Sequence, residues 1–192
     1  EVIKNGSNLL EPDQFEIAAN DTDAVILDVR HQSDFVKGFI PRSIFVGLAG
    51  GFAPWVGALL ADVKKPILLV VEEGMEEEAV IRLSRVGFDN VIGILKGGFN
   101  SWTDSGKEID KIQTIEANEL GGLVTPAVFD VRKTGEFDAG HVESAKSTPL
   151  DFLNEYLSEF PNSGDFYIHC AGGYRSVIAN SILKKQGIHN GI

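Results

Sequence analysis

The sequence predicts an α/β chain built as two tandem units, each a small, mostly parallel sheet flanked by helices. Three observations predict it. The chain repeats itself: "ILDVRHQSDFVKGFIPRS" from Ile26 and "VFDVRKTGEFDAGHVESA" from Val128 align without gaps. Asp28 then pairs with Asp130, Arg30 with Arg132, Phe35 with Phe137 and Gly38 with Gly140, 102 positions apart. Short apolar, β-branched runs alternate with longer stretches of helical period, the order that winds a parallel sheet between helices. Two of the helical stretches, "AVIRLSRVGFDN" from Ala79 and "ANSILKKQGIHN" from Ala179, match at an offset of 100.

In chain order, residues 24–29 (AVILDV) and 66–71 (PILLVV) read as strands buried on both faces. Residues 76–87 (EEEAVIRLSRVG) read as a helix with Ala79, Ile81, Leu83 and Val86 near one face and Gly87 as its stop. The polar stretch 104–111 (DSGKEIDK) marks the boundary, giving a first unit at 1–108 and a second at 109–192. The second unit repeats the order. Residues 127–131 (AVFDV) and 166–170 (FYIHC) read as strands buried on both faces. Residues 175–187 read as a helix with Ile178, Ile182 and Leu183 turned inward and Gly187 at its end. The second copy ends at Ile192, opposite Ile92, so 95–102 (LKGGFNSW) has no counterpart there and the unit is expected to lack that C-terminal element.

Composition narrows the function. With 192 residues, 43% hydrophobic, the chain can bury a core for one large or two small domains. A net charge of −11 and a pI ≈ 4.8 argue against nucleic acid or an anionic membrane surface as partner. No apolar run approaches the roughly 20 residues that span a bilayer. No signal peptide is visible, and one cysteine makes no internal disulfide, so the expected compartment is reducing and cytoplasmic. The chain begins at Glu1 without an initiator Met, so an upstream segment stays open. His31, His141, His169 and His189 form no metal-ligand spacing, and no metal is expected.

The lone cysteine, Cys170, lies in "FYIHCAGGYRS", at a strand end and before a helix. In parallel sheets, ligands sit at such handovers. Gly172 and Gly173 let the loop curl with its N–H groups inward. The following helix adds unpaired N–H groups and a positive dipole end, and Arg175 adds a fixed charge. Together these make an anion cradle with a sulfur at its mouth, a field that favours thiolate over thiol. The opposing reading makes Cys170 a small buried hydrophobe; the Gly-Gly and Arg-Ser that follow it weigh against that.

These residues carry a family resemblance. "LDVRHQSDFVKGFIP" and "FDVRKTGEFDAGHVESA" resemble the opening signature of rhodanese domains, "HCAGGYRS" is similar to their Cys-x4-Arg-Ser/Thr loop, and "LKGGFNSW" resembles their closing Gly-Gly-x3-Trp element. The resemblance implies two tandem rhodanese-like domains and a sulfurtransferase. Cys170 would take a sulfane sulfur from a small anionic donor such as thiosulfate or glutathione persulfide. It would hold that sulfur as a transient persulfide and release it to cyanide, sulfite or a thiol, with no other cofactor. The N–H groups of Ala171, Gly172, Gly173, Tyr174, Arg175 and Ser176 would cradle the anionic sulfur, and Arg175 would bind the donor or brace the loop. Two other readings stand beside this one. Tyrosine phosphatases and arsenate reductases use a related cysteine loop, but with Cys-x5-Arg for a tetrahedral oxyanion; here four residues separate Cys170 from Arg175. Alternatively, the units serve as binding or regulatory modules without turnover.

The first copy has no cysteine. Aligning the helices puts Val70 opposite Cys170, and aligning the strand ends favours Glu72. Neither is a nucleophile, so the first unit is expected to be inactive. Glu72, Glu73, Glu76, Glu77 and Glu78 read as a solvated helix start, where acids suit the dipole. In the second unit, Asp130 and Arg132 read as a buried polar frame under the loop. His141 reads as a packing and hydrogen-bonding residue near the loop rather than a general base, since a thiolate poised by dipoles needs none. The acidic stretch before "RVGFDNVIGILKGGFNSW" is similar to the rhodanese portion of fusions with a metallo-β-lactamase-like persulfide dioxygenase, which would place such a domain upstream.

Overall fold

The computed structural model describes residues 8–60 and 62–192, which divide into two compact units at Asp110/Lys111. The first unit runs β1 (Leu9–Leu10), α1 (Pro12–Asp21), β2 (Val25–Asp28), α2 (Gln32–Phe35), β3 (Ile44–Phe45), α3 (Phe52–Leu59), β4 (Ile67–Val70), α4 (Glu76–Ser84), β5 (Val91–Leu95) and α5 (Gly98–Asp104). Among the described residues its sheet is all parallel, in the order β1-β5-β4-β2-β3. β2 and β4 are buried at every position, as their unbroken apolar runs require. Helix α1 starts at Glu11, whose side chain and that of Gln14 form a reciprocal capping box, with Pro12 in the first turn.

Helix α4 buries Ala79, Val80 and Leu83. Ile81 and Val86, expected on the inner face, are only half-buried. The inward stripe follows the i, i+1, i+4 spacing around Ala79, and Ile81 lies roughly 200° around the helix from it. The helix closes as a Schellman turn: Phe88 N–H donates to Leu83 C=O at 3.1 Å, and Gly87 N–H to Ser84 C=O at 3.0 Å, with Gly87 at φ +88°. One face of the sheet packs Phe15, Ile26, Ile40, Leu68, Val70, Leu95 and Trp102 together. Trp102, from "LKGGFNSW", meets Phe15 edge-on at 6.2 Å and donates its Nε1–H to Glu108 C=O at 2.8 Å. Asp110 exchanges two 2.9 Å backbone hydrogen bonds with Phe39, tying the end of this unit to its own loop.

The second unit runs α6 (Ala117–Gly121), β6 (Val128–Asp130), α7 (Thr134–Ala139), β7 (Ala145–Ser147), 3-10 turns at Leu150–Glu155 and Leu157–Glu159, β8 (Tyr167–His169) and α8 (Tyr174–Lys185). Its described strands pair in parallel as β7-β6-β8. Ile192 extends the ladder beside β8, donating to Phe166 C=O at 2.9 Å and accepting from Ile168 N–H at 2.8 Å. This repeats the β3-β2-β4-β5 order of the first unit. Helix α8 buries Ile178, Ile182 and Leu183 and closes through Gly187 (φ +88°) with the same pair of bonds that ends α4. Phe129, Phe160 and Phe166 form an aromatic cluster with centroids 4.5 to 5.4 Å apart.

The expectation that 166–170 is buried on both faces does not hold. Tyr167 and His169 are half-buried and line a cavity of about 590 Å³ with Leu120, Val128 and Val142. Their first-unit counterparts, Leu68 and Val70, lie under Phe15, Leu95 and Trp102. In the second unit α6 is a five-residue helix with no buried side chain, so this face of the sheet has thinner cover.

Candidate active site

Cys170 follows β8 directly, and α8 begins at Tyr174. The turn between them depends on Gly173, which precedes the helix at φ +81°, ψ −22°, a left-handed conformation suited to a residue without Cβ. That turn brings the backbone N–H groups of Ser176, Gly172 and Arg175 onto the Cys170 sulfur. The Ser176 hydroxyl lies 3.7 Å from Sγ and donates to Gly173 C=O at 3.0 Å. Burial pushes the thiol pKa up, but these N–H groups and the hydroxyl outweigh it and hold it below the usual thiol value. Because Cys170 is the chain's one cysteine, its ionisation can be read directly. Thiolate absorbance near 240 nm is expected to titrate below the ordinary cysteine range. An ordinary titration would mean that the cradle does not act on the sulfur.

Arg175 is held from outside the loop. Its Nη1 donates to Glu136 Oε2 at 2.6 Å and its Nη2 to Glu136 Oε1 at 2.9 Å, a bidentate pair across 39 residues. Glu136 sits in the first turn of α7, and the Arg175 guanidinium and the Lys133 N–H hold its carboxyl at about 2. The loop is thereby fastened to the helix that follows β6. Sequence reading missed Glu136. The signal available for it was the acid-aromatic pair of the repeated "DVR" segment, with nothing to say which cation it met.

Under the loop, Asp130 is fully buried and accepts from Arg132 Nε, Nη2 and backbone N–H at 2.7 to 3.0 Å. Arg132 Nη2 also donates to Gly140 C=O at 2.8 Å. Asp28, Arg30 and Gly38 repeat this frame in the first unit. His169, beside Asp130 across the sheet, places Nε2 3.5 Å from Asp130 Oδ2. It too went unassigned in the sequence. His141 is exposed; it stacks on Phe137 at 3.8 Å, and its Nδ1 lies 2.9 Å from Phe137 C=O. Its packing partner is thus α7 and not the loop.

Strand register corrects the counterpart of Cys170. Asp28 pairs with Val70, and Asp130 pairs with His169. The position after each is Val71 and Cys170, so neither Val70 nor Glu72 stands opposite the cysteine. Val71 is 1% exposed. Glu72 instead accepts from His31 N–H at 3.1 Å, and Glu76, Glu77 and Glu78 occupy the first turn of α4. No described helix is long and apolar enough to cross a membrane.

Comparison with known proteins gives a family match. The model for the rhodanese-like domain matches twice, at residues 11–105 and 114–192. The uncharacterized protein YqhL of Bacillus subtilis is 33% identical over 77 residues, 40% of this chain and 61% of that protein. The uncharacterized protein YibN of Escherichia coli is 37% identical over 84 residues, 43% of this chain and 58% of that protein. The chain therefore spans about three fifths of the length of each of these two relatives. Among solved structures, a thiosulfate sulfurtransferase from Pseudomonas aeruginosa aligns over 98% of this chain and 43% of that one, at 20% identity and a TM-score of 0.45.

Proposed function

Because the chain belongs to the rhodanese-like domain family, we propose that its second unit is a sulfurtransferase working through a Cys170 persulfide. The observation that carries this is the convergence of three backbone N–H groups on one sulfur at the start of α8. The thiolate attacks the outer sulfur of a sulfane donor, thiosulfate or an organic persulfide. A Cys170–sulfur bond forms, the donor's sulfur–sulfur bond breaks, and its electron pair leaves on sulfite or on a thiolate. A thiophilic acceptor (cyanide, sulfite or a thiol) then attacks the outer sulfur, and Cys170 leaves as thiolate. Electrons balance within the two displacements, so the cycle calls for no cofactor. The N–H cradle stabilises negative charge on the persulfide in the same way as on the thiolate. The first unit, with Val71 at the matching position, is read as a structural copy.

The four-residue spacing from Cys170 to Arg175 supports sulfur over phosphate, because a smaller ring offers fewer donors for three equatorial oxygens. Mass spectrometry tests the reading. After exposure to thiosulfate or glutathione persulfide, the peptide carrying Cys170 is expected to gain one sulfur atom, discharged by cyanide as thiocyanate. No adduct with any sulfane donor would favour a binding module. Turnover of a chromogenic phosphate ester without thiocyanate formation would favour a phosphatase.

A further inference from the structure

Arg175 stands in the first turn of α8, within hydrogen-bond reach of Cys170, where a free positive charge would do most for an anionic donor. Its charge is already matched. Both terminal nitrogens point at one carboxylate, with Nη1 to Glu136 Oε2 at 2.6 Å and Nη2 to Oε1 at 2.9 Å, and the pair is only partly open to solvent. Glu136 is fixed in turn by the Lys133 N–H at 3.2 Å. The neighbouring guanidinium, Arg132, is likewise matched by the buried carboxylate of Asp130. In the first unit Asp34, the counterpart of Glu136, pairs with Lys37 at 3.1 Å instead.

The cradle therefore offers N–H groups for a single anionic sulfur, while its arginine arrives already neutralised. Thiosulfate is a dianion, and its sulfonate needs a cation that a carboxylate holds here. An organic persulfide carries no sulfonate beside its reacting sulfur, so that sulfur needs no second cation. We infer that Glu136 is the specificity-determining residue of this site, holding Arg175 in a bidentate ion pair so that organic persulfides are preferred over thiosulfate as sulfur donors. This rests on the sulfurtransferase reading above. In the preferred step the Cys170 thiolate attacks the terminal sulfur of R–S–SH. The new S–S bond forms on Cys170, the donor S–S bond breaks, and the electron pair departs on R–S⁻. Cys170 is left as –S–SH, and no oxidant or reductant is used.

The test compares kcat/KM for glutathione persulfide and thiosulfate on the full chain. The wild-type protein is expected to favour the persulfide. Glu136→Gln keeps shape and one acceptor but removes the charge. It is expected to raise the thiosulfate-to-persulfide ratio of kcat/KM about tenfold, mainly through KM for thiosulfate. Glu136→Asp keeps the charge and the wild-type preference. An unchanged donor ratio in Glu136→Gln, or an equal fall for both donors, would show a brace without a role in selection. If Glu136→Gln does not fold, the wild-type protein still decides. Its thiosulfate reaction is expected to depend little on salt, since the donor meets a matched pair and no free charge. A steep loss of rate with salt, or thiosulfate used as well as the persulfide, overturns the role of Glu136 alone. A wild-type chain that loads sulfur from neither donor overturns the sulfurtransferase reading, and the role of Glu136 with it.

Discussion

Cys170→Ser is expected to abolish sulfur transfer by the whole chain, lowering kcat/KM by about 10⁴-fold or more in a thiosulfate:cyanide or persulfide:thiol assay. The size of the effect follows from the chemistry. A serine hydroxyl in the same cradle stays protonated at neutral pH and forms no persulfide, and no second cysteine exists to take over. Serine is close in size and finds the same N–H donors, so folding stability is expected to change by less than about 1 kcal/mol. A parallel thermal melt separates lost chemistry from lost structure. Residual turnover within tenfold of wild type would move the reaction away from Cys170. The reciprocal change sharpens the point. Val71→Cys places a thiol at the matching strand end of the first unit, but Glu72 follows and no arginine counterpart of Arg175 stands in the next turn. It is expected to load no sulfur.

That asymmetry shows what a sequence reveals about such a site. The α/β order and the twofold repeat were legible because apolar period and glycine stops are local signals: Gly87 and Gly187 end α4 and α8 through the same bonds. The Cys170 loop was legible for a similar reason, since a strand, two glycines and a helix start are contiguous. Three features were not local. The counterpart of Cys170 depends on which residues share a ladder, and the strands match at an offset of 99 where the helix ends match at 100. Alignment of the helices therefore slips by one residue. The partner of Arg175 lies 39 residues away, among several acids with equal claim from sequence alone. The half-exposure of β8 reflects what covers Tyr167 and His169 rather than their own pattern.

Asp130→Ala is expected to cost the second unit about 1–3 kcal/mol, the loss of charge-assisted hydrogen bonds to a half-buried guanidinium. Asp130 is 0% exposed and meets three donors of Arg132, whose side chain is 18% exposed and also donates to Gly140 C=O. Against a typical domain stability of about 5–15 kcal/mol, such a loss takes a sizeable part of a small unit's margin. The two units carry separate reporters. Trp55 and Trp102 both lie in the first, and Tyr156, Tyr167 and Tyr174 all lie in the second. Along a urea series, hydrogen exchange of peptides covering β8 is expected to shift to lower denaturant in Asp130→Ala. Tryptophan emission should keep the wild-type midpoint, because Asp28 and Arg30 frame the first unit independently. Acid adds a second readout. Burial pushes the Asp130 carboxyl up, but Arg132 and His169 outweigh it and hold the group below its usual value. A depressed carboxylate contributes its stability above the unfolded pKa and loses it as pH falls through the folded one. The second unit of the wild-type protein should thus weaken on acidification, and Asp130→Ala should remove that part of the pH dependence. If β8 exchange is unmoved in the variant, the Asp130–Arg132 frame is not what supports the strand under Cys170.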